Sequence, residues 1–379
     1  MRILALATEA FGGFGGIAQS NRDLFRALSL SHDVVVLPRR STQKTLTDRN
    51  IIQKKPRFNK VVYSLTALRT LRREGPFDLI FCGHLFMAPL ALWLSCLGKV
   101  PFWLQIYGIE AWARPCGSLR AAAERAGLVT AISRYTRRKF LSWADFPSEK
   151  AKVLPCTYGE QFYPGAKSDA LVSRYDLNGK KVLLTVGRIS SSERYKGHGY
   201  VLEALVRLRN NYPNLIYLIV GDGDDRPRLE RRAAELGVTG SVRFIGRVKD
   251  EELPEVCRLA DVFVMPSTGE GFGIVFLEAA ASGVPVIGGN ADGSLDALAE
   301  GKIGRCVDPQ NVAEIVEAIQ ESLQSPKPNP SAVQKFSREN FNHHVSSVIA
   351  RRSAGDDEAI SAGKIASRKK EGGQALRSQ

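Results

Sequence analysis

Short apolar runs of four to six residues alternate with amphipathic stretches of ten to fifteen residues along almost the whole 379-residue chain. A short apolar run predicts a buried strand, and the longer stretch with helical spacing that follows it predicts a helix. Strands that alternate with helices favour parallel sheets, because each helix carries the chain back to the edge where the previous strand began. The alternation therefore predicts an α/β fold built from βαβ units.

The alternation stops once, in a stretch rich in proline and glycine that follows residue 154. Before this stretch we predict strands at residues 2–7, 33–38, 78–82, 101–106, 127–131 and 152–154, and helices at 17–29, 58–73, 86–97, 118–126 and 134–143. The pattern restarts at KKVLLTVGR, with strands at 215–220, 242–245, 261–265 and 284–288 and helices at 198–210, 226–236, 251–259, 274–282, 311–324 and 331–350.

We interpret this organisation as two Rossmann-like doubly wound domains that face a cleft, an N-terminal domain over residues 1–165 and a C-terminal domain over residues 166–350. The last predicted helix, 331–350, is one that can pack back on the N-terminal domain. Residues 351–379 are small, polar and charged, which predicts a disordered tail.

One run without charged side chains, Leu79–Gly98, has the length of a membrane-spanning helix. It contains His84 and Pro89, and it divides into a strand, a loop and a helix with proline near its first turn. We therefore predict no membrane span here. The apolar start of the chain is too short for a signal peptide, and the six cysteines form no paired motif, which predicts small buried thiols in a cytoplasmic protein.

The positive charge of the chain is confined to its first half. Residues 1–180 contain 27 lysines and arginines against 13 aspartates and glutamates, whereas the remainder contains 26 of each. The densest part is Arg39–Arg73, in which apolar residues recur at helical spacing. Such a stretch fits an anionic membrane surface, an anionic acceptor, nucleic acid or a plain solvated face. Because no nucleic-acid-binding module accompanies it, we expect no specific nucleic-acid partner.

A glycine-rich turn, EAFGGFGGIAQS, follows the first strand and opens a helix at Gly16. The free N–H groups of a helix N-terminus bind anions, and glycines allow a close approach of the backbone. The spacing differs from the dinucleotide-binding G-x-G-x-x-G, and the second strand ends in arginine where an NAD site has an acidic residue. An oxidoreductase that uses NADP stays open as an alternative.

Candidate polar residues follow several other strands. Arg188 and Lys196 can point into the cleft at one polyanion, such as a diphosphate, or lie on the surface as solvated charges. Glu270 stands ahead of a helix and Glu278 inside it, where it could bind the hydroxyls of a ribose or form a buried salt bridge. His84 and the segment Tyr107–Glu110 end two strands, where they are either cleft residues or structural ones.

The order of GGFGG, AISRYTRRKF, LPCT, GR…KG, VGDG, FIGRV, EGFGIVFLE and SGVPVIGGNADGSLDAL resembles the retaining family 4 glycosyltransferases of the GT-B fold, which act on bacterial polysaccharides and glycolipids. The resemblance covers about residues 1–350. It implies a nucleotide-sugar donor with UDP or GDP, used as a co-substrate with no cofactor and no metal. It also implies a lipid-linked or polysaccharide acceptor.

The resemblance also assigns roles to residues by position. It implies that Arg188, Lys196 and the backbone of Gly16 bind the donor diphosphate, that Glu278 binds the ribose, and that Glu270 contacts the donor sugar. It places the backbone of Phe272, Gly273 and Ile274 beside that sugar and Arg247–Val248 beside the base. Many members have histidine at the position of Tyr107, and a tyrosine is a poor base. His84, Tyr107 and Glu270 are therefore the candidate catalytic residues.

Two rival functions remain open at this level: a nucleotide-sugar epimerase of the same fold, and a basic binding protein without enzymatic activity. The sequence Asp222-Gly-Asp224 has the Asp-x-Asp spacing of some metal sites, but it lies in a βα turn whose VGDG pattern the resemblance explains without metal, so we predict no metal site. We expect an enzyme in the cytoplasm that associates with the inner face of the plasma membrane through Arg39–Arg73.

Overall fold

A computed structural model describes residues 1–42, 46–326, 328 and 330–350, and its strands form two separate sheets. The first sheet contains β1 (Arg2–Ala7), β2 (Asp33–Pro38), β3 (Leu46–Asp48), β4 (Ile51–Gln53), β5 (Leu79–Cys82), β6 (Phe102–Ile106), β7 (Leu128–Ala131) and β8 (Ala151–Val153). The helices of this domain are α1 (Gly16–Ser29), α2 (Lys60–Arg73), α3 (Ala88–Gly98), α4 (Gly117–Glu124) and α5 (Arg134–Leu141).

The second sheet contains β9 (Lys181–Val186), β10 (Leu215–Val220), β11 (Val242–Gly246), β12 (Val262–Met265), β13 (Val286–Gly289) and β14 (Arg305–Val307). The helices of this part of the chain are α6 (Asp169–Arg174), α7 (His198–Leu208), α8 (Arg226–Glu235), α9 (Leu253–Arg258), α10 (Ile274–Ala281), α11 (Ser294–Ala297) and α12 (Val312–Gln324). The predicted α/β fold with two doubly wound domains is confirmed.

Both sheets reverse their direction of winding beside their first strand. The strand orders are β3-β4-β2-β1-β5-β6-β7-β8 and β11-β10-β9-β12-β13-β14. Among the strands of the described residues, every pairing is parallel except that of β3 with β4. Ligands bind open α/β sheets at this switch point, because the loops after the two adjacent strands diverge and leave a crevice. The loops after β1 and β9 therefore lie where a ligand is expected.

Four short elements were absent from the sequence prediction: the β3–β4 hairpin, β14, α6 and α11. Each strand has three residues, α6 has six and α11 has four, which is too short for a periodic pattern to emerge. The hairpin and β14 lie at the edges of their sheets, away from the switch points.

The predicted helix 331–350 is interrupted. A 3₁₀ turn spans Pro330–Phe336, and a separate helix, α13 (338–350), follows Ser337, whose hydroxyl accepts a hydrogen bond from the Asn340 N–H. Phe341 and Val345 belong to the same buried cluster as Ile3 and Phe25, so α13 packs on the N-terminal domain. The predicted disordered tail, 351–379, lies outside the described residues.

The uncharged run Leu79–Gly98 divides as expected, into β5, a short loop and α3. Within the described ranges, no helix is both long and apolar enough to cross a membrane. The prediction of buried thiols was wrong for Cys96 and Cys116, which are exposed because they lie at the solvent side of α3 and just before α4, and Cys306 is only half-buried.

Candidate active site

The N-termini of α1 and α10 face each other across the two domains. A methyl group added at Gly16, the first residue of α1, would lie 4.0 Å from Cδ1 of Ile274, the first residue of α10. One turn further along, the Gln19 amide donates a hydrogen bond of 3.0 Å to Oε1 of Glu278. Two helix N-termini that converge in this way present backbone N–H groups and two positive dipole ends to one place, which favours an anion.

Lys196 lies buried between the loop after β9 and the loop before α10. Its ammonium pairs with Glu270 and lies 3.6 Å from Glu193. Burial by itself would lower the pKa of Lys196, but the negative charges of Glu270 and Glu193 and the hydrogen bond to Glu270 raise this pKa above its ordinary value. Lys196 is therefore a fixed positive charge at the switch point of the second sheet.

The residue after Lys196 must be glycine for the loop to close. Gly197 has a φ of +80°, and a methyl group at this position would lie 2.2 Å from the carbonyl oxygen of Pro266. A larger residue is therefore excluded by both the backbone conformation and the close contact.

Arg188 lies two residues after β9 and extends towards solvent, with 70% of its side chain exposed. Its guanidinium pairs with Glu193, the carboxylate that also lies beside Lys196. The structure thus brings the two predicted diphosphate-binding cations to one point. Because Arg188 is exposed and Lys196 is buried, an anion could reach the first from solvent while it contacts the second at the base of the loop.

Glu278 lies inside α10 with only 4% of its surface exposed. Burial raises its pKa to about 7, and the hydrogen bond from Gln19 partly offsets this effect. In the described part of the chain its hydrogen-bond donor is this amide, so the alternative of a buried salt bridge is not what the structure shows. A buried carboxylate without a cation is suited to accept hydrogen bonds from ligand hydroxyls.

Asp292, which the sequence analysis missed, fixes the loop that contains Glu270. Its carboxylate accepts hydrogen bonds from the Glu270 N–H at 2.6 Å, from the Ser267 hydroxyl at 2.8 Å and from the Ser294 N–H at 2.9 Å. Asp292 is fully buried, and burial raises its pKa although these hydrogen bonds lower it. The available signal was an aspartate in a glycine-rich loop directly after a buried strand.

The loop before α10 also touches the N-terminal domain. A methyl group at Gly271 would lie 1.9 Å from the carbonyl oxygen of Tyr107, so the two domains approach each other closely here. The Phe272 side chain is buried against Phe336, with 5.6 Å between ring centroids. Phe272 can therefore offer only its backbone to a ligand, and Gly273, with a φ of +87°, turns the chain into α10.

The Tyr107 hydroxyl donates a hydrogen bond of 2.6 Å to Oδ1 of Asn21, and burial raises the pKa of Tyr107 well above its ordinary value. This hydroxyl has a structural partner, and we assign it no proton-transfer role. His84 is buried 6.4 Å from Tyr107, measured between rings, and burial lowers its pKa despite the nearby Glu110. Nδ1 of His84 accepts a hydrogen bond from the Phe86 N–H, so the neutral ring carries its proton on Nε2.

Arg247 and Val248 follow β11 directly. Arg247 is exposed, and Val248 is half-buried against the core cluster that includes Ile274. The same loop reaches α1 through Asp250, which lies 4.0 Å from Arg22. Because β11 pairs with β10 on the side away from β9, Arg247 and Val248 border the cleft at that end of the sheet.

Asp224, half of the Asp-x-Asp pair, accepts a hydrogen bond of 3.0 Å from the Ser191 N–H and another from its hydroxyl. It therefore fixes the loop between Arg188 and Lys196. Across the described ranges, no cluster of three or more histidine, cysteine, aspartate or glutamate side chains has the arrangement of a metal site.

Two family models match the chain. One is described as Glycosyltransferase Family 4 and matches residues 14–158, and the other is described as Glycosyl transferases group 1 and matches residues 172–340. Together they cover both domains, and the boundary between them lies in the connection that the sequence analysis placed after residue 154.

Curated relatives include a GDP-mannose-dependent alpha-(1-6)-phosphatidylinositol monomannoside mannosyltransferase of Mycolicibacterium smegmatis. It is 36% identical over 219 residues, which are 55% of this chain and 56% of the relative, so this chain spans about half its length. A GDP-mannose-dependent monoacylated alpha-(1-6)-phosphatidylinositol monomannoside mannosyltransferase of Corynebacterium glutamicum is 29% identical over 276 residues, which are 69% of this chain and 71% of the relative.

Among solved structures, Anabaena HepE in complex with UDP and glucose matches with a TM-score of 0.76, over 93% of this chain and 100% of that one. The sequence identity of 19% means that this likeness shows the fold alone. The matched models and the shared two-sheet architecture agree with each other, and this chain belongs to the family 4 glycosyltransferases with the GT-B fold.

Proposed function

We propose that this protein is a retaining, metal-independent glycosyltransferase that moves a sugar from a GDP- or UDP-linked donor to a hydroxyl of a lipid-linked or polysaccharide acceptor. The observation that carries the proposal is the convergence of Arg188 and Lys196 on one carboxylate, with Lys196 also paired to Glu270. Two cations at the switch point of the second sheet suit the diphosphate of a nucleotide sugar.

The cations would act mainly on the leaving group. When the bond between the anomeric carbon and the diphosphate oxygen breaks, negative charge grows on the diphosphate. Lys196 and Arg188 stabilise that charge, and the N-terminus of α1 at Gly16 approaches the same place from the other domain. Groups that are already oriented towards a growing charge lower the barrier without reorganisation.

The two glutamates would orient the donor on either side of the diphosphate. Glu278 accepts hydrogen bonds from the ribose hydroxyls, and these replace its hydrogen bond from the Gln19 amide. Glu270 contacts the donor sugar, together with the backbone of Phe272, Gly273 and Ile274, and Arg247–Val248 borders the base. In this proposed arrangement the bond that breaks would lie beside Lys196.

Retention would follow from a front-face reaction. The acceptor oxygen bonds to the anomeric carbon on the side from which the diphosphate departs, and the acceptor proton passes to the departing phosphate oxygen. His84 would assist as a hydrogen-bond donor to a sugar hydroxyl, because its Nδ1 is occupied by the Phe86 N–H. A role for His84 as a base would require the other tautomer.

The names of the relatives guide the choice of substrates. The mycobacterial and corynebacterial relatives are named for GDP-mannose and for phosphatidylinositol mannosides, and HepE was solved with UDP and glucose. GDP-mannose and UDP-glucose are therefore the first donors to test, and a glycolipid hydroxyl is the first acceptor.

A surface formed by α2 and α3 fits an anionic membrane, which would hold the enzyme at the inner face of the plasma membrane. Val61 and Leu65 on α2 are 67% and 50% exposed, and Trp93 on α3 is 45% exposed. Exposed basic residues surround them: Arg57, Lys60, Arg69, Arg72, Arg73 and Lys99. Exposed apolar side chains among basic ones are typical of peripheral membrane helices.

The function is tested by incubating the purified protein with radiolabelled GDP-mannose and UDP-glucose, with and without a glycolipid acceptor, in the presence of a chelator. We expect acceptor-dependent transfer that the chelator does not abolish, and NMR of the product should show the donor's anomeric configuration. Conversion of the donor sugar without acceptor would instead support an epimerase. Binding of nucleic acid with steep salt dependence and no donor turnover would support a basic binding protein.

A further inference from the structure

Glu193 occupies the position between the two cations of the candidate diphosphate site. One carboxylate oxygen, Oε1, pairs with the Arg188 guanidinium, and the other, Oε2, lies 3.6 Å from the Lys196 ammonium. Only 11% of its side chain is exposed, although it lies on a loop. A single carboxylate thus bridges both groups that the proposed function assigns to the donor.

The loop that contains this carboxylate is anchored on both sides of it. Asp224 holds the start of the loop through Ser191, and the pairing of Lys196 with Glu270 holds its end. Between these anchors, Glu193 departs from helical geometry, with φ −119° and ψ 27°, and interrupts the 3₁₀ turn Ser191–Lys196. Neither anchor involves the Glu193 side chain, so its rotation away from the cations would break neither of them.

Two positive side chains that converge on one point repel each other unless an anion lies between them. Glu193 provides one negative charge at this point, whereas a diphosphate provides more charge and more acceptor oxygens. Glu193 pairs with Nη2 of Arg188 and lies beside the Lys196 ammonium, so it occupies the space between the two cations. A diphosphate that enters between the two cations therefore displaces Glu193 from this position.

We propose that Glu193 is an internal competitor of the donor diphosphate: it holds the cation pair between turnovers, swings away when the donor binds, and returns to help release the nucleoside diphosphate product. The inference rests on the proposed function, because it takes Arg188 and Lys196 as the diphosphate site. An internal competitor lowers the apparent affinity by the fraction of molecules in which it occupies the site.

The substitution Glu193→Gln tests this proposal without emptying the loop. The amide has the same shape, and Lys196 keeps its pairing with Glu270, while Arg188 is exposed to solvent. Glu252→Gln is the matched control, because it removes one carboxylate from an ion pair with Arg174 elsewhere in the same domain. The two variants have the same net charge.

Calorimetric titration with GDP and UDP measures the effect. We expect Glu193→Gln to lower the dissociation constant of the nucleoside diphosphate by about fivefold, and Glu252→Gln to leave it unchanged. The double variant Glu193→Gln/Arg188→Ala should bind only slightly more tightly than Arg188→Ala alone, because the competition acts through the cation pair. If Glu193 only supported the loop, the Glu193→Gln variant would instead bind the nucleotide more weakly than the wild type does.

If the wild type bound GDP or UDP and Glu193→Gln bound it equally or more weakly, the inference would be overturned. The proposed function would stand in that case, because the wild type binds the nucleotide. If neither the wild type nor the variant bound GDP or UDP, both proposals would fall together. Under turnover, the variant should show stronger inhibition by added nucleoside diphosphate than the wild type, by a similar factor. Equal inhibition of the two enzymes would contradict a role in product release.

Discussion

The amide of Gln19 donates a hydrogen bond of 3.0 Å to the carboxylate of Glu278, although the two residues are 259 positions apart and lie in different domains. Gln19 lies one turn inside α1, and Glu278 lies one turn inside α10. The contact therefore joins the two helices whose N-termini face the cleft. A donor that bound Glu278 through its ribose would replace this link between the domains by its own hydroxyls.

Removal of the Glu278 charge should change the pH dependence of stability. The pKa of Glu278 in the folded protein is about 7, above its ordinary value of 4.5, because the side chain is buried. The folded state thus retains a proton that the unfolded chain releases, and stability falls as the pH rises from about 4.5 to 7. We expect Glu278→Gln to gain about 3 kcal/mol relative to wild type between pH 4.5 and pH 8.

Urea unfolding of both proteins at several pH values measures this difference. Other carboxylates titrate in both proteins and cancel in the comparison. A stability difference that is independent of pH would show that Glu278 has the same pKa in the folded and unfolded states. Donor binding should weaken in the variant, because an amide oxygen is a poorer acceptor than a carboxylate.

Substitution of Arg188 tests the diphosphate site with less effect on stability than substitution of Lys196. Its exposed side chain can be truncated without emptying the core, so Arg188→Ala should reduce turnover by about a hundredfold and leave the melting temperature nearly unchanged. Lys196→Ala should reduce turnover at least as much, but it also leaves the half-buried Glu270 without its cation, which costs stability. Arg174→Ala, another exposed ion-pair arginine, serves as the control.

Steady-state kinetics and thermal denaturation together check this prediction. The proposed site would be wrong if Arg188→Ala and Arg174→Ala had the same turnover.

Asp292→Asn should loosen the loop that contains Glu270. The carboxylate accepts hydrogen bonds from three donors, and an amide presents an N–H group where one of those donors already points. We expect a loss of about 1–3 kcal/mol of stability and a higher KM for the donor, because Glu270 is displaced. Denaturant unfolding and donor-saturation kinetics measure the two effects.

Asp308→Asn is the control for this change, since Asp308 is exposed and accepts a hydrogen bond from the nearby Gln310 N–H. It should alter stability by less than about 0.5 kcal/mol. If both variants kept the wild-type KM, Asp292 would have no part in positioning Glu270.

The double substitution Val61→Asp/Leu65→Asp should abolish most binding to vesicles that contain anionic lipid. It adds two negative charges to the exposed apolar face of α2 and leaves its buried face, with Tyr63 and Ala67, unchanged. Co-sedimentation with anionic and zwitterionic vesicles measures the effect, and transfer to a water-soluble acceptor should be retained. Leu30→Asp, at an exposed leucine after α1, should bind as the wild type does. Wild-type protein that stays in the supernatant with anionic vesicles would contradict the membrane surface.

Much of the site was predictable because its elements are local. Short segments with clear helix and turn signals predict where three of its residues lie: Glu270 before α10, Glu278 inside α10 and Gly16 at the start of α1. The partners of these residues were not predictable. Tyr107 was a candidate for the reacting face, and its hydroxyl instead meets Asn21, which is 86 positions away.

The sequence by itself determined the βα alternation, the two domains and the loops that follow β1 and β9, because periodicity and turn chemistry are properties of adjacent residues. Only the tertiary structure decided which distant groups meet: Gln19 with Glu278, Asp292 beneath Glu270, and α13 on the N-terminal domain. Such contacts depend on how two folded domains pack against each other, and no local pattern encodes that geometry.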